Sequence, residues 1–199
     1  MTQWEVVATV QTISEAHLLP VIEQMLEQFP FAILGFHADN GSEYVNHKVA
    51  ELLEKLRVEF TRSRPRHSND NGLAETKNGA VIRKLFGYAH IPQRHAVRFN
   101  TFCREYLNAF LNFHRPCLFA TEVADPKKPE RIKRVYRPQD AMTPLDKLAS
   151  LPDAASFLRE GITFKDLHAL AGALTDVQAA EELQEARQVL FRWLRARAA

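Results

Sequence analysis

The sequence predicts an α/β domain in which helices cover a sheet with parallel strand pairing. Short runs of β-branched and aromatic residues alternate with stretches whose apolar residues recur every three or four positions. The resulting order of strand, helix, strand, helix, strand is typical of parallel strands joined by crossover helices. A chain of 199 residues with 46% hydrophobic and 25% charged side chains is long and apolar enough to bury one sizeable core.

The first part of the chain contains all five of these elements. Strands are predicted over 5–10, 31–39 and 58–63, because each run is rich in Val, Ile, Phe or Thr. Helices are predicted over 14–29 and 46–56, where the apolar residues form a single stripe. Each predicted helix therefore connects two predicted strands, as a parallel crossover requires.

Turn-forming residues interrupt this pattern at 63–72 (SRPRHSNDNG), which predicts a polar loop. Helical character returns from Leu73, and a long helix is predicted over 95–113. Five aromatic residues recur on that helix at three- or four-residue steps, which indicates core packing more than a surface for stacking bases. They are Phe99, Phe102, Tyr106, Phe110 and Phe113.

The C-terminal part of the chain is predicted to be a connector followed by helices. Residues 115–140 are rich in proline and in charge, which indicates an exposed connector. The chain from residue 141 is helical in pattern, and the last helix is predicted over 175–198. Thr175 precedes the apolar periodicity of that helix and is its predicted N-cap.

Charge is distributed unevenly along the chain, although the net charge is only +2. Residues 1–60 hold three Lys and Arg against nine Asp and Glu, residues 61–137 hold sixteen against six, and residues 138–199 hold seven against nine. A basic middle between acidic ends is typical of proteins that bind a polyanion. A solvated surface that happens to be basic would give the same pattern, so charge alone leaves both interpretations open.

Several classes of protein are disfavoured by composition. No stretch approaches eighteen apolar residues, so no membrane span is predicted, and the N-terminus lacks the pattern of a secretory signal. The two cysteines, Cys103 and Cys117, fit a reducing cytoplasm and show no spacing for a zinc site. We therefore expect a cytoplasmic protein without membrane association, whose cysteines are ordinary core residues.

Two acids stand where a sheet could bring them together. Asp39 ends the apolar run of the second predicted strand, and Glu75 follows the polar loop near the start of a helix, with 35 residues between them. Two carboxylates at the end of a sheet suit Mg²⁺ or Mn²⁺, because these ions prefer hard oxygen ligands. Alternatively, Asp39 could simply open a turn with Asn40 and Gly41, and Glu75 could complement the dipole of its helix.

These motifs together resemble the catalytic core of retroviral-type integrases and the related bacterial insertion-sequence transposases. The resemblance rests on HADNGSEYVN (37–46), on SRPRHSNDNGLAETKNGAVIRKLFGY (63–88) and on the 35-residue gap between the two acids. That family is defined by an Asp-Asp-Glu triad with this gap between its last two acids. NAFLNFHRPC (108–117) and KRVYRPQDAMTPLDKL (133–148) are similar to the region after the catalytic helix in bacterial members, so the resemblance covers most of residues 2–150.

The resemblance implies a ribonuclease H-like three-layer α/β fold and metal-dependent cutting and joining of DNA during integration. It divides the chain into a catalytic core (1–115), a basic linker (116–140) and a helical C-terminal extension (141–199). Asp39 and Glu75 become catalytic ligands of Mg²⁺ or Mn²⁺, and the implied partners are mobile-element ends, target DNA and further copies of the chain. Eight side chains are implied to contact DNA: Arg62, Arg64, Arg66, Asn71, Lys77, Asn78, Arg83 and Lys84.

The chain departs from the family pattern at its first acid. The family carries the first Asp of the triad on its first strand, whereas no Asp precedes Asp39 here. We therefore expect the fold to lack its first strand and the chain to be catalytically impaired. A second interpretation is a non-catalytic DNA-binding or oligomerising remnant of a transposase, which would bind DNA without divalent ions. A ribonuclease H-type nuclease shares the fold but leaves the 35-residue gap and its flanking motifs unexplained.

Overall fold

Helices and strands alternate over residues 15–62 in the order that the sequence predicts, and the fold is mixed α/β. The two strands pair in parallel, with Gly35 opposite Glu59 and Ala38 opposite Arg62. A helix between two parallel strands is the crossover that such pairing needs. The elements are α1 (Glu15–Glu27), β1 (Gly35–Ala38), α2 (His47–Lys55) and β2 (Glu59–Arg62).

The chain divides into two units, each with buried residues of its own. One unit is Ala8–Phe99, and the other combines Met1–Val7 with Asn100–Ala199. The computed structural model describes residues 2–12, 14–38, 47–55, 58–62, 78–88, 90–125 and 128–197.

The core of the Ala8–Phe99 unit lies between its first two helices and the parallel strands. Phe36 of β1 and Ile33, just before it, pack against this core. Leu34 is 68% exposed, and β1 begins at Gly35, later than the predicted start at residue 31. The buried side chains of the core are Leu18 and Ile22 of α1, Val49 and Leu53 of α2, and Val58 before β2.

A short helix, α3, follows in the same unit. It consists of a π-helical turn, Asn78–Arg83, that continues into an α-helical turn, Lys84–Phe86. Val81 and Phe86 are buried, and the ring centroid of Phe86 lies 5.1 Å from that of Phe99. The inner side of α3 is therefore fixed by apolar packing.

The second unit contains a hairpin and, from Asn100 onward, most of a long helix. The helix predicted over 95–113 is confirmed, since α4 (Ala96–Phe102) continues through π-helical turns at Cys103–Leu107 and Phe110–His114. Among its aromatic residues Phe99 and Phe102 are buried, whereas Tyr106 is 37% exposed. The remaining elements are β3 (Cys117–Asp125), β4 (Lys128–Met142), α5 (Pro144–Ala149), a 3₁₀ turn (Ala154–Phe157), α6 (Phe164–Ala171) and α7 (Asp176–Arg195).

The segment interpreted as a connector forms an antiparallel hairpin instead of an irregular linker. Strands β3 and β4 pair from Cys117 opposite Met142 to Asp125 opposite Lys128, with irregularities along the register. Most side chains of β4 are exposed, as the charged sequence indicates. Lys133 Nζ lies 2.9 Å from Oδ2 of the buried Asp125, and this ion pair ties the two strands together near their turn.

The strand predicted over 5–10 is wrong, because this segment pairs with no strand among the described residues. The backbone of residues 5 and 7 hydrogen-bonds to side chains of the long helix.

The predicted N-cap of the last helix, Thr175, is confirmed. The Gln178 backbone N–H donates to Thr175 Oγ1 at 3.3 Å, and Gln178 Oε1 accepts from the Thr175 N–H.

Both cysteines are buried, which confirms that they are core residues. Burial raises the pKa of the Cys103 thiol to about 12. Its nucleophilic thiolate form is therefore scarce at neutral pH, and Cys103 is unsuited to nucleophilic chemistry.

Along the described ranges, no helix combines the length and the apolar character needed to cross a membrane.

Candidate active site and nucleic-acid interface

The carboxyl ends of β1 and β2 lie side by side at one edge of the sheet. Ala38, the last residue of β1, is paired with Arg62, the last residue of β2. The next residue after β1 is Asp39, and β2 is followed in sequence by residues 63–77, which lie outside the described residues, as Asp39 does. Ligands of open parallel sheets bind beyond the carboxyl ends of the strands. The predicted site is therefore expected at this edge of the sheet, and the strand ends are the part of it that the structure describes.

The strand pair presents a polar face beside this edge. His37 lies opposite Thr61 in the register, and His37 Nδ1 is 2.9 Å from Thr61 Oγ1. Both residues are exposed, whereas the neighbouring Phe36 packs against the core. Alternation along the strands thus turns apolar side chains toward the helices and polar ones toward the opposite face.

Two of the predicted DNA contacts are exposed on α3. Arg83 and Lys84 face solvent while Val81 and Phe86 of the same short helix are buried. The Arg83 guanidinium carbon lies 5.7 Å from the ring centroid of Tyr88, which is 84% exposed. Cations beside an exposed aromatic ring can contact phosphates and a base.

Of the other eight predicted site residues, the structure describes the backbone of two and leaves six outside the described residues. Arg62 is the last residue of β2 and Asn78 is the first residue of α3. No group of three or more His, Cys, Asp or Glu residues that could hold a metal ion occurs among the side chains that the structure describes. Six predicted site residues lie outside the described residues, and their roles stay predictions: Asp39, Arg64, Arg66, Asn71, Glu75 and Lys77.

Two buried asparagines on the long helix hold the N-terminal segment by its backbone. The Glu5 N–H donates to Asn112 Oδ1 at 2.8 Å, and Asn112 Nδ2 donates to the Glu5 carbonyl oxygen at 2.7 Å. In the same way the Val7 N–H donates to Asn108 Oδ1 at 2.9 Å, and Asn108 Nδ2 donates to the Val7 carbonyl oxygen at 3.3 Å. Each carboxamide thus satisfies both backbone polar groups of one residue.

The spacings of the two partners explain why this pairing fits. Residues 108 and 112 are separated by about 6 Å along a helix axis. Residues 5 and 7 are separated by about 6.6 Å along an extended chain, with their polar groups on the same side. Trp4 adds an edge-to-face contact with Phe113 at a centroid distance of 5.6 Å. The helix therefore serves the segment as a neighbouring strand would.

Sequence reasoning missed this asparagine pair. The sequence signal was weak: Asn108 and Asn112 stand four residues apart and so on one side of the predicted helix, but that side also carries Arg104 and Glu105. Both are buried, and a buried carboxamide requires hydrogen-bond partners. The pair predicts that something polar docks there, but it does not say which segment.

A histidine and an aspartate join the end of the long helix to the start of α7. His114 Nδ1 lies 3.0 Å from Asp176 Oδ1. His114 is buried, whereas Asp176 is 73% exposed in the first turn of α7. The contact fixes the N-terminus of α7 beside a groove that Phe110, Pro116 and Val177 also line.

No protein-family model matches the chain. The chain is similar to a protein of Sinorhizobium fredii named uncharacterized protein y4rM, with 33% identity over 90 residues. Those residues are 45% of this chain and 26% of that protein, so the similarity spans about a quarter of the relative's length. The relative's name states no activity.

Proposed function

We propose that the chain carries the catalytic region of an integrase-type transposase, with a ribonuclease H-like fold, whose reaction is metal-dependent cleavage and transfer of DNA strands, and that this activity is impaired because no Asp precedes Asp39. The observation that supports this most is the parallel β1–α2–β2 unit, whose strands end side by side, with Asp39 directly after β1 and Glu75 thirteen residues after the end of β2. Parallel strands that end together deliver the side chains after them to one edge.

The donor chemistry suits a divalent ion. Asp39 and Glu75 offer carboxylate oxygens, the ligands that Mg²⁺ and Mn²⁺ prefer. Such an ion, when bound, neutralises charge on the phosphate being transferred. The family uses three carboxylates, and this chain has no Asp before Asp39. Among the described strands β1 pairs with β2.

Glu75→Gln and Asp39→Asn should each abolish Mn²⁺-dependent nicking and joining of plasmid DNA by the full chain. We expect Mn²⁺ affinity, measured by isothermal titration calorimetry, to fall at least about 100-fold in both variants, because each removes a charged ligand. Asp70→Asn is the matched control, since Asp70 is an acid only five residues before Glu75 in the sequence and should leave both readouts unchanged. Mn²⁺ binding that survives Glu75→Gln would contradict the proposed metal site.

A second candidate function is DNA binding without catalysis. The sixteen Lys and Arg of residues 61–137 and the exposed Arg83 and Lys84 favour it. This function requires neither a divalent ion nor a complete set of carboxylates. DNA binding in the absence of Mn²⁺, together with no nicking, would favour it over strand transfer.

Replacing both Arg83 and Lys84 with alanine should weaken binding to DNA of any sequence under either function. Contacts to phosphates release counterions, so we expect the slope of log affinity against log salt to fall in magnitude by about 2. Fluorescence anisotropy with a labelled duplex measures this slope. A double variant of Arg159→Ala and Lys165→Ala loses the same charge outside the basic region and should leave the slope unchanged. Equal effects of the two double variants would show that α3 does not contact DNA.

A further inference from the structure

Helix α7 has a buried stripe and an exposed face opposite to it. Ala179, Leu183 and Leu190 are buried against the rest of their unit. At 3.6 residues per turn, the opposite side of the helix carries a row of residues that all face solvent. These residues are Val177, Glu181, Gln184, Glu185, Gln188, Arg192 and Arg195.

Charge is completely segregated along this helix and the residues that follow it. Residues 176–185 contain four Asp and Glu and no Lys or Arg, whereas residues 186–197 contain four Arg and no acid. The helix dipole favours acids at the N-terminus and bases at the C-terminus, but its effect fades within the first and last turns. Glu181 and Glu185 stand one turn apart with the same charge, which destabilises an isolated helix.

The charges of the exposed face have no partners within the described part of the chain. No ion pair or side-chain hydrogen bond there involves Glu181, Glu185, Arg192 or Arg195. Two other arginines make cation–π contacts: Arg187 lies over the Phe191 ring and Arg197 lies over the Trp193 ring. The unpaired charges therefore form two opposite patches on one helix face.

A groove of about 680 Å³ borders the acidic patch. Phe110, Pro116, Val177 and Ala180 give it an apolar lining, and Glu181 and Glu185 also line it. Val177 is 67% exposed, which is unusual for a valine beside so much apolar surface. A group that combines apolar and positively charged surface would match this groove.

We propose that a second copy of this chain docks along α7 in the antiparallel direction, with the two-fold axis near Gln188. Glu181 and Arg195 each stand seven residues from Gln188, so the axis brings Glu181 of one copy opposite Arg195 of the other. Gln184 and Arg192, four residues away on either side, meet in the same way. The basic end of one helix then covers the acidic groove of the other, and the same patch is used by both copies, as a two-fold interface requires.

A second copy fits this surface better than other occupants. Nucleic acid would be repelled by the acidic half of the helix, and an acidic protein by that same half. An antiparallel copy satisfies both patches at once, because each half finds its opposite charge. This inference does not depend on the proposed DNA function, and its test uses neither DNA nor metal ions.

The test compares the full-length wild type with two charge-reversed variants by size-exclusion chromatography with light scattering. One variant carries Glu181→Lys and Glu185→Lys, which makes the face wholly basic. The other carries Arg192→Glu and Arg195→Glu, which makes it wholly acidic. We expect the wild type to have twice the chain mass, each variant alone to have the mass of one chain, and their equimolar mixture to recover the doubled mass.

A variant of Glu160→Lys and Lys165→Glu reverses exposed charges outside α7 and should remain dimeric. Circular dichroism of every variant establishes that the helices are intact before masses are compared. A wild type that remains monomeric would overturn the inference, and so would variants that still dimerise alone. A mixture that stays monomeric would also overturn it, because only opposite faces pair in the antiparallel arrangement.

Discussion

Replacing Asn112 with alanine should lower the free energy of unfolding by about 3 kcal/mol, because it removes three hydrogen bonds from a buried site. The Asn112 carboxamide bonds to the N–H and the carbonyl oxygen of Glu5 and to the carbonyl oxygen of Asn108. Its side chain is buried, and an unsatisfied buried polar group costs about 1–3 kcal/mol. Glu5 is only half-buried, so water regains part of the loss.

Urea denaturation measures this change, and hydrogen exchange locates it. The Glu5 amide should exchange much faster in the variant, whereas the Val7 amide, which bonds to Asn108, should be less affected. Asn112→Asp keeps an acceptor for the Glu5 N–H but places a buried charge against the carbonyl oxygens of Glu5 and Asn108, so at neutral pH it should be no more stable than Asn112→Ala. Gln24→Ala controls for an amide lost from an exposed helix position. A loss below about 1 kcal/mol would mean that water replaces the carboxamide without penalty.

The N-terminal segment shows one limit of reading structure from sequence. Its run of Val and Thr predicted a strand, but the segment pairs with no strand among the described residues. A strand is assigned through its pairing with another strand, whereas here side chains of a helix supply the hydrogen bonds. Local propensity predicts the backbone conformation that a segment prefers, but it does not predict which groups will lie beside the segment.

The hairpin shows a second limit. Pro129 and Pro138 interrupt the alternation of apolar and polar residues in β4, and prolines are ordinarily signals against a strand. The exposure of most β4 side chains removes the hydrophobic face that would have marked it. The residues that reveal the pairing, such as Asp125 with Lys133, are partners only in three dimensions.

The parallel strand unit was predictable because its two signals agree. Apolar runs of strand length alternate with amphipathic helices, and both patterns point to the same crossover. The edge at which Asp39 should lie follows from that topology. The roles of Asp39 and Glu75, by contrast, rest on motifs and on a gap of 35 residues, because chemistry depends on distances that periodicity does not encode.

The same unit is the target of the second large prediction. Leu53 of α2 is fully buried between α1 and the strand pair, in contact with a core that also contains Leu18, Ile22 and Val49. Leu53→Ala should lower the free energy of unfolding by about 3–4 kcal/mol, since it removes apolar burial and leaves a cavity. The unit frames the predicted site, so we also expect DNA strand transfer, where it occurs, to decline without any change at Asp39 or Glu75.

Leu34→Ala is the matched control, because it makes the same substitution in the same unit at a side chain that is 68% exposed. It should change the free energy of unfolding by less than about 0.5 kcal/mol. Urea titrations followed by circular dichroism measure both variants, and hydrogen exchange shows whether Leu53→Ala deprotects β1 and β2 first. Equal losses in the two variants would contradict the packing of α2 against the strand pair, because burial is the difference between the two leucines on which the prediction depends.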